Sequence, residues 1–120
     1  MPGYKTLIAY QKAKQVADAI FIASKQFPVE EKYSLTDQIR RSSRAVCACI
    51  GEAYRKRKYP AHFVSKLTDS DMENGETEVW LDFAKDCNYL KAEEYQTIYS
   101  QNEEVARLLA YMINHPDKFL

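Results

Sequence analysis

The sequence predicts an all-α protein, an up-down antiparallel four-helix bundle formed by one domain over residues 1–120 and assembling as a homo-oligomer. Three observations carry the fold. Apolar residues recur at steps of three and four through four long stretches, the spacing that gathers side chains on one helix face. Only three glycines and four prolines punctuate 120 residues, so turns are few and elements long. No stretch alternates apolar with polar residues as a half-buried strand would.

The first helix is expected over about residues 4–27. Leu7, Tyr10, Ala13, Ala17, Ile20, Ser24 and Phe27 share its face, flanked by Ile8, Val16 and Ala23. Pro28 ends it, because the residue before a proline disfavours the α region. The second helix is expected over 35–58, with Leu35, Ile39, Ser42, Val46, Ile50 and Ala53 on its main face. "SLTD" sets Asp37 three residues after Ser34, a capping-box start with aspartate in place of glutamate. Pro60 either breaks the chain or enters the first turn of the next helix.

The third helix is expected over 61–87, faced by Phe63, Leu67, Ser70, Asn74, Thr77, Leu81 and Ala84. The centre of that face is polar, which is unusual for a core helix. The fourth is expected over 92–114, faced by Tyr95, Ile98, Tyr99, Asn102, Val105, Ala106, Leu109, Met112 and Ile113. Glu93 and Glu94 in its first turn suit the helix dipole, and His115-Pro116 closes it. At 1.5 Å per residue each helix is ~30–40 Å long, and short connections make chain neighbours antiparallel.

Formal net charge is zero, from 17 basic and 17 acidic residues. Dedicated nucleic-acid binders are usually basic overall, so the balance counts against one while leaving room for a local basic face. Cys47, Cys49 and Cys87 are odd in number and form no C-x-x-C. With no secretory leader in view, a reducing cytoplasmic location is expected. No apolar run approaches the ~18–20 residues of a membrane span, so no membrane partner is expected.

The segment Gln38–Pro60, "QIRRSSRAVCACIGEAYRKRKYP", concentrates seven basic residues against one acid, Glu52. At ~100° per residue, Arg40, Arg44, Arg55 and Lys58 fall within about 60° of one another, opposite the apolar face. Between them the same stripe holds Cys47, Ala48 and Gly51, so the helix is apolar all round at its waist. A helix of that kind is buried on more than one side. Cys47, Ala48 and Gly51 are therefore expected at an oligomer interface. Five acids, Asp69, Asp71, Glu73, Glu76 and Glu78, lie on the next helix and are expected to meet Arg40, Arg41 and Arg44 within the chain or across a subunit boundary. Arg55, Lys56, Arg57 and Lys58 remain the freer cluster and the candidate contact for RNA or DNA.

Catalytic patterns are missing. His62 and His115 belong to no zinc spacing, and Cys47 and Cys49 point to different sides of a helix. There is no phosphate-cradling glycine loop, no G-x-S-x-G and no E-x-x-H. No cofactor, metal, small-molecule substrate or enzymatic activity is expected. Nine tyrosines suit core edges and interfaces, where a ring is buried and its hydroxyl stays wet.

Three stretches together resemble a known family. "EEKYSLTDQIRRSSRAVCACIGEAYRKRK" follows a pattern of E-x-y-x-L-t-x-Q-i-x-R-A, a serine-isoleucine pair, N-I-A-E-G and a basic tail. "NGETEVWLDFAKDCNYL" follows E-x-x-x-x-L-x-x-A-x-x-x-x-Y-L, and "YKTLIAYQKAKQVADAIFIASKQFP" fits the first helix. The pattern is similar to that of the four-helix-bundle proteins encoded by intervening sequences in bacterial 23S rRNA genes. The diversity-generating retroelement accessory protein shares that fold. The resemblance implies a four-helix bundle and a homopentamer, with matching positions at Gln38, Arg41, Glu52, Glu76, Tyr89 and Leu90. It implies that Gln38, Arg41, Glu52 and Glu76 are structural polar residues. Cys49 stands at the family's asparagine, Gly51 at its alanine and Ala53 at its glycine. The retroelement relatives are strongly basic and associate with nucleic acid and a reverse transcriptase; this chain is neutral. Two functions follow as expectations: an oligomer that binds RNA or DNA through a basic collar, or a protein–protein adaptor without nucleic acid.

Overall fold

The computed structural model describes residues 3–120. Four helices dominate: α1 Ile8–Ser24, α2 Leu35–Arg55, α3 Pro60–Asp86 and α4 Ala92–Asn114. Short 3-10 turns cover Tyr4–Thr6, Val29–Glu31 and Pro116–Lys118. Among the described residues there is no strand. Each helix packs on its chain neighbours and α4 closes on α1, leaving α1–α3 and α2–α4 across the diagonals.

The cross-helix pairings run in opposite chain directions. Ser42 meets Thr77 and Glu52 meets Lys66 between α2 and α3, while Glu78 meets Tyr99 and Asp82 meets Tyr95 between α3 and α4. The molecule is an up-down bundle measuring 44 × 25 × 25 Å.

The core follows the expected faces closely. All seven expected residues of α3 are buried, as are Leu35, Ile39, Ser42, Val46, Ile50 and Ala53 of α2. The polar centre of α3 is explained by its partners. Ser70 Oγ donates to the Val46 carbonyl at 2.8 Å. The Thr77 hydroxyl lies 2.8 Å from that of Ser42 and 2.9 Å from the Glu73 carbonyl. Asn74 Nδ2 donates to Asn102 Oδ1 at 2.9 Å, and Asn102 Nδ2 returns a bond to the Asn74 carbonyl at 3.2 Å. Satisfied buried groups of this kind tie α3 to α2 and α4 in one register.

The helix ends depart from the sequence reading. α1 begins at Ile8 because Tyr4–Thr6 form a 3-10 turn and Leu7 is extended, and Ile8 itself is exposed. α2 stops at Arg55 rather than at residue 58, with Pro60 at the first position of α3. The expected capping box at Ser34 does not form. Glu31 of the preceding 3-10 turn caps α2 instead: one carboxylate oxygen accepts from Ser34 Oγ at 2.6 Å and from the Leu35 N–H at 3.3 Å. Its other oxygen accepts from the Tyr89 hydroxyl at 3.0 Å. The Ser34 hydroxyl bond comes first in holding the Glu31 carboxyl below its ordinary value, with the Leu35 N–H and Tyr89 adding to it.

Tyr89 reaches Glu31 because of how α3 ends. Asn88 takes φ 63°, the left-handed conformation asparagine tolerates, while the Tyr89 N–H bonds the Ala84 carbonyl and the Asn88 N–H that of Lys85. This is a Schellman ending. It turns Tyr89 back onto the bundle, with its ring 5.6 Å from that of Phe27.

Candidate nucleic-acid interface

The freer basic cluster lies where α2 gives way to α3. Arg55 occupies the last turn of α2, where a cation faces the negative end of the helix dipole. The Lys56 N–H bonds the Ala53 carbonyl and the Tyr59 N–H bonds that of Lys56, turning the chain into Pro60. Arg55, Lys56, Arg57 and Lys58 are all exposed. Arg57 Nε donates to the Tyr54 carbonyl at 3.0 Å, and its guanidinium stacks 3.6 Å above the Tyr54 ring.

The N-terminal 3-10 turn adds a residue that sequence reasoning missed. Lys5 joins Arg55, Arg57 and Lys58 around a groove of about 520 Å³, walled by Tyr4 and Tyr54 and lined by no carboxylate. Lys56 is exposed outside this lining. Thr6 Oγ1 donates to the Gly3 carbonyl at 2.6 Å and Gln11 Nε2 to the Lys5 carbonyl at 2.9 Å, which hold the turn. A continuous first helix would have carried Lys5 away in helical register; the turn that places it depends on packing against α2. Glu52, the acid nearest in sequence, is engaged 3.5 Å from Lys66.

The waist residues divide. Cys47 is buried within the chain, Gly51 is half-buried under the Tyr4 ring, and Ala48 alone is exposed. A shallow groove of about 440 Å³ runs over them, edged by Tyr4 and Tyr10, whose rings meet edge to face at 4.8 Å. Part of the small-residue waist therefore receives the chain's own N-terminal tyrosine. Burial pushes the Cys47 thiol up to about 11, and burial likewise raises Cys49.

The upstream arginines also divide. Arg41 pairs with Glu73 at 3.3 Å and with Glu76, and its Nε donates to Gln38 Oε1 at 3.2 Å. Glu76 also accepts from Trp80 Nε1 at 3.2 Å. Burial pulls the Arg41 guanidinium down, and its bonds and charge attraction to Glu76 and Glu73 outweigh that, leaving it raised. Gln38, Arg41 and Glu76 are thus one polar cluster, while Glu52 belongs to another, with Lys66 and Asp69. Within the chain, the expectation for Arg40 and Arg44 is corrected. Neither meets an acid; both guanidiniums stack on Phe21, at 4.7 and 5.3 Å, and Arg40 Nε donates to buried Ser24 Oγ at 2.7 Å. They face α1, whereas the acids of α3 face Arg41 across the other side of α2.

Among the described residues no three His, Cys, Asp or Glu side chains gather closely enough to hold a metal ion, and no helix is long and apolar enough to cross a membrane.

The family model described as 23S rRNA-intervening sequence protein matches residues 5–111. A crystal structure from Bacteroides thetaiotaomicron, of a protein with unknown function from the S23 ribosomal protein family, is similar with a TM-score of 0.81 and 30% identity, covering 89% of this chain and 96% of that one. No curated protein matches. The matched residues run from within the first 3-10 turn through nearly all of α4, and so take in most of the bundle and the four basic residues of the groove; the chain belongs to the 23S rRNA-intervening sequence protein family.

Proposed function

We propose that the protein acts by binding rather than by catalysis, as a homo-oligomer whose repeated basic grooves hold RNA. The observation that carries this reading is the groove of Lys5, Arg55, Arg57 and Lys58, with tyrosine walls and no lining carboxylate. Cations supply phosphate affinity, and tyrosine rings and the Arg57 guanidinium plane suit unstacked bases, so a single strand fits better than a duplex. One such groove on a neutral chain is a modest site. Around a homopentamer, the assembly the family resemblance implies, five copies form a collar whose charge adds up. The family's link to 23S rRNA genes favours RNA over DNA as ligand. A cytoplasmic location accords with this reading.

Fluorescence anisotropy with a labelled single-stranded RNA, a duplex of the same length and the matching DNA tests it. Binding of the single strand is expected, and Arg55→Ala/Arg57→Ala is expected to weaken it with the melting temperature unchanged. Equal binding by the variant, or none by the wild type, sets the groove aside. In that second case an assembled protein without nucleic-acid affinity is the protein–protein adaptor reading.

A further inference from the structure

The outward face of α3 carries a second seam. Ala61, Ser65, Thr68, Met72, Gly75 and Val79 follow steps of four and three in alternation, the 3.5-residue spacing of a helix–helix seam, and Phe83 continues it one turn later. This line is uncharged and lies about 180° from the buried line of Phe63 to Ala84. Met72 is 73% exposed, Val79 48% and Phe83 53%. A Cβ at Gly75 would meet nothing within 4 Å. A helix apolar on two opposite faces packs on two sides, and within the chain α3 packs on α2 and α4 and touches the Pro116–Lys118 turn.

The charges beside the seam indicate what covers it. On its α2 side, Asp69, Glu73 and Glu76 are paired with Lys66 and Arg41. On its α4 side, Asp71, Glu78, Asp82 and Asp86 have no cationic partner among the described residues; Glu78 and Asp82 accept only from Tyr99 and Tyr95. The complement sits elsewhere on the same chain. Arg40 and Arg44 have no carboxylate partner, and beside them α2 presents exposed Ala48 and half-buried Gly51. Two seams of α3 placed together would set uncompensated acids against each other. The α3 seam on the α2 face instead joins opposite charges and lets Met72 approach small residues.

We infer that the outward seam of α3 docks on the Arg44–Ala48–Gly51 face of α2 in a second copy of this chain. This rests on the assembly reading above and names its faces. The contact is head-to-tail: each copy offers both surfaces, so the assembly closes into a ring or extends as a filament. Arg55 and Tyr4 edge both this face and the basic groove, while Lys5, Arg57 and Lys58 line the groove alone.

Light scattering of the wild type, Met72→Glu, Ala48→Glu and an equimolar mixture of the two variants tests it, with circular dichroism as the check on folding. The wild type is expected at a multiple of 13.9 kDa and each variant at 13.9 kDa, with helicity retained. The mixture is expected at twice that mass and no more. The Ala48→Glu chain keeps an intact α3 seam and the Met72→Glu chain an intact α2 face, which together make one junction. Variants as large as an oligomeric wild type, or a mixture that stays monomeric, overturn this pairing of faces and leave assembly standing. A monomeric wild type overturns both.

Discussion

The side-chain amides of Asn74 and Asn102 face each other across α3 and α4, each donating to the other residue, with Asn74 Nδ2 2.9 Å from Asn102 Oδ1. Both residues are buried, at 3% and 2% exposure, among Ala13, Val16, Val46 and Val105 in a space with no room for water. Truncating one leaves the other's amide without a partner, at a cost of about 1–3 kcal/mol. Asn102→Ala is therefore expected to lower the urea midpoint clearly. Asn74→Leu/Asn102→Leu is expected to cost less than the two single leucine substitutions summed, as a double-mutant cycle in urea reads directly.

Glu31 and Tyr89 join the start of α2 to the end of α3, and their bond sets a pH window. The folded state holds the Glu31 carboxyl below its ordinary 4.5, so its stabilisation is present above 4.5 and is lost as pH falls through the lower folded value. The Glu31 bond pushes the Tyr89 hydroxyl up to about 12 from 10.0, so that contribution is present below 10.0 and is lost as pH rises through about 12. Melting curves across pH are expected to show Glu31→Gln converging on the wild type in acid. Tyr89→Phe is expected to converge on it only in strong alkali.

The Arg41 cluster is visible in the sequence and contributes little energy. Its side chain and those of Glu73 and Glu76 stay partly exposed, and exposed ion pairs stabilise by about 0–1 kcal/mol each. Arg41→Ala is expected to lower stability by about 1 kcal/mol or less in dilute salt and by still less in concentrated salt.

The three thiols should separate by rate. Cys87 is exposed, Cys49 half-buried, and Cys47 buried with its thiol near 11. An aromatic disulfide reagent at pH 8 is expected to modify Cys87 rapidly, Cys49 slowly and Cys47 only as the protein opens. Cys87→Ser removes the fast phase.

The helical faces of this fold were legible because burial repeats every three to four residues. Phe63, Leu67, Ser70, Asn74, Thr77, Leu81 and Ala84 follow that period whether apolar or polar, and all seven are inside. Periodicity does not report partners, so the pairing of Asn74 with Asn102 had no signal in α3 alone. Ser34 looked like a cap, but Glu31 from the turn before it reaches the α2 N-terminus first. Arg40 and Arg44 are basic residues near an acidic helix in sequence, yet their side of α2 faces Phe21. The candidate site was half visible: Arg55, Arg57 and Lys58 stand in one run, while Lys5 arrives across 50 residues through a turn too short to leave a pattern.

The salt dependence of RNA binding tests the central claim most directly. Each phosphate contact on a single strand contributes about −0.7 to the slope of log K against log salt. If Lys5, Arg55, Arg57 and Lys58 hold the strand, Arg55→Ala/Arg57→Ala is expected to shrink that slope by about 1.4 per groove engaged, and Lys5→Ala by about 0.7. A flat wild-type slope, or one that these substitutions leave unchanged, would contradict the account.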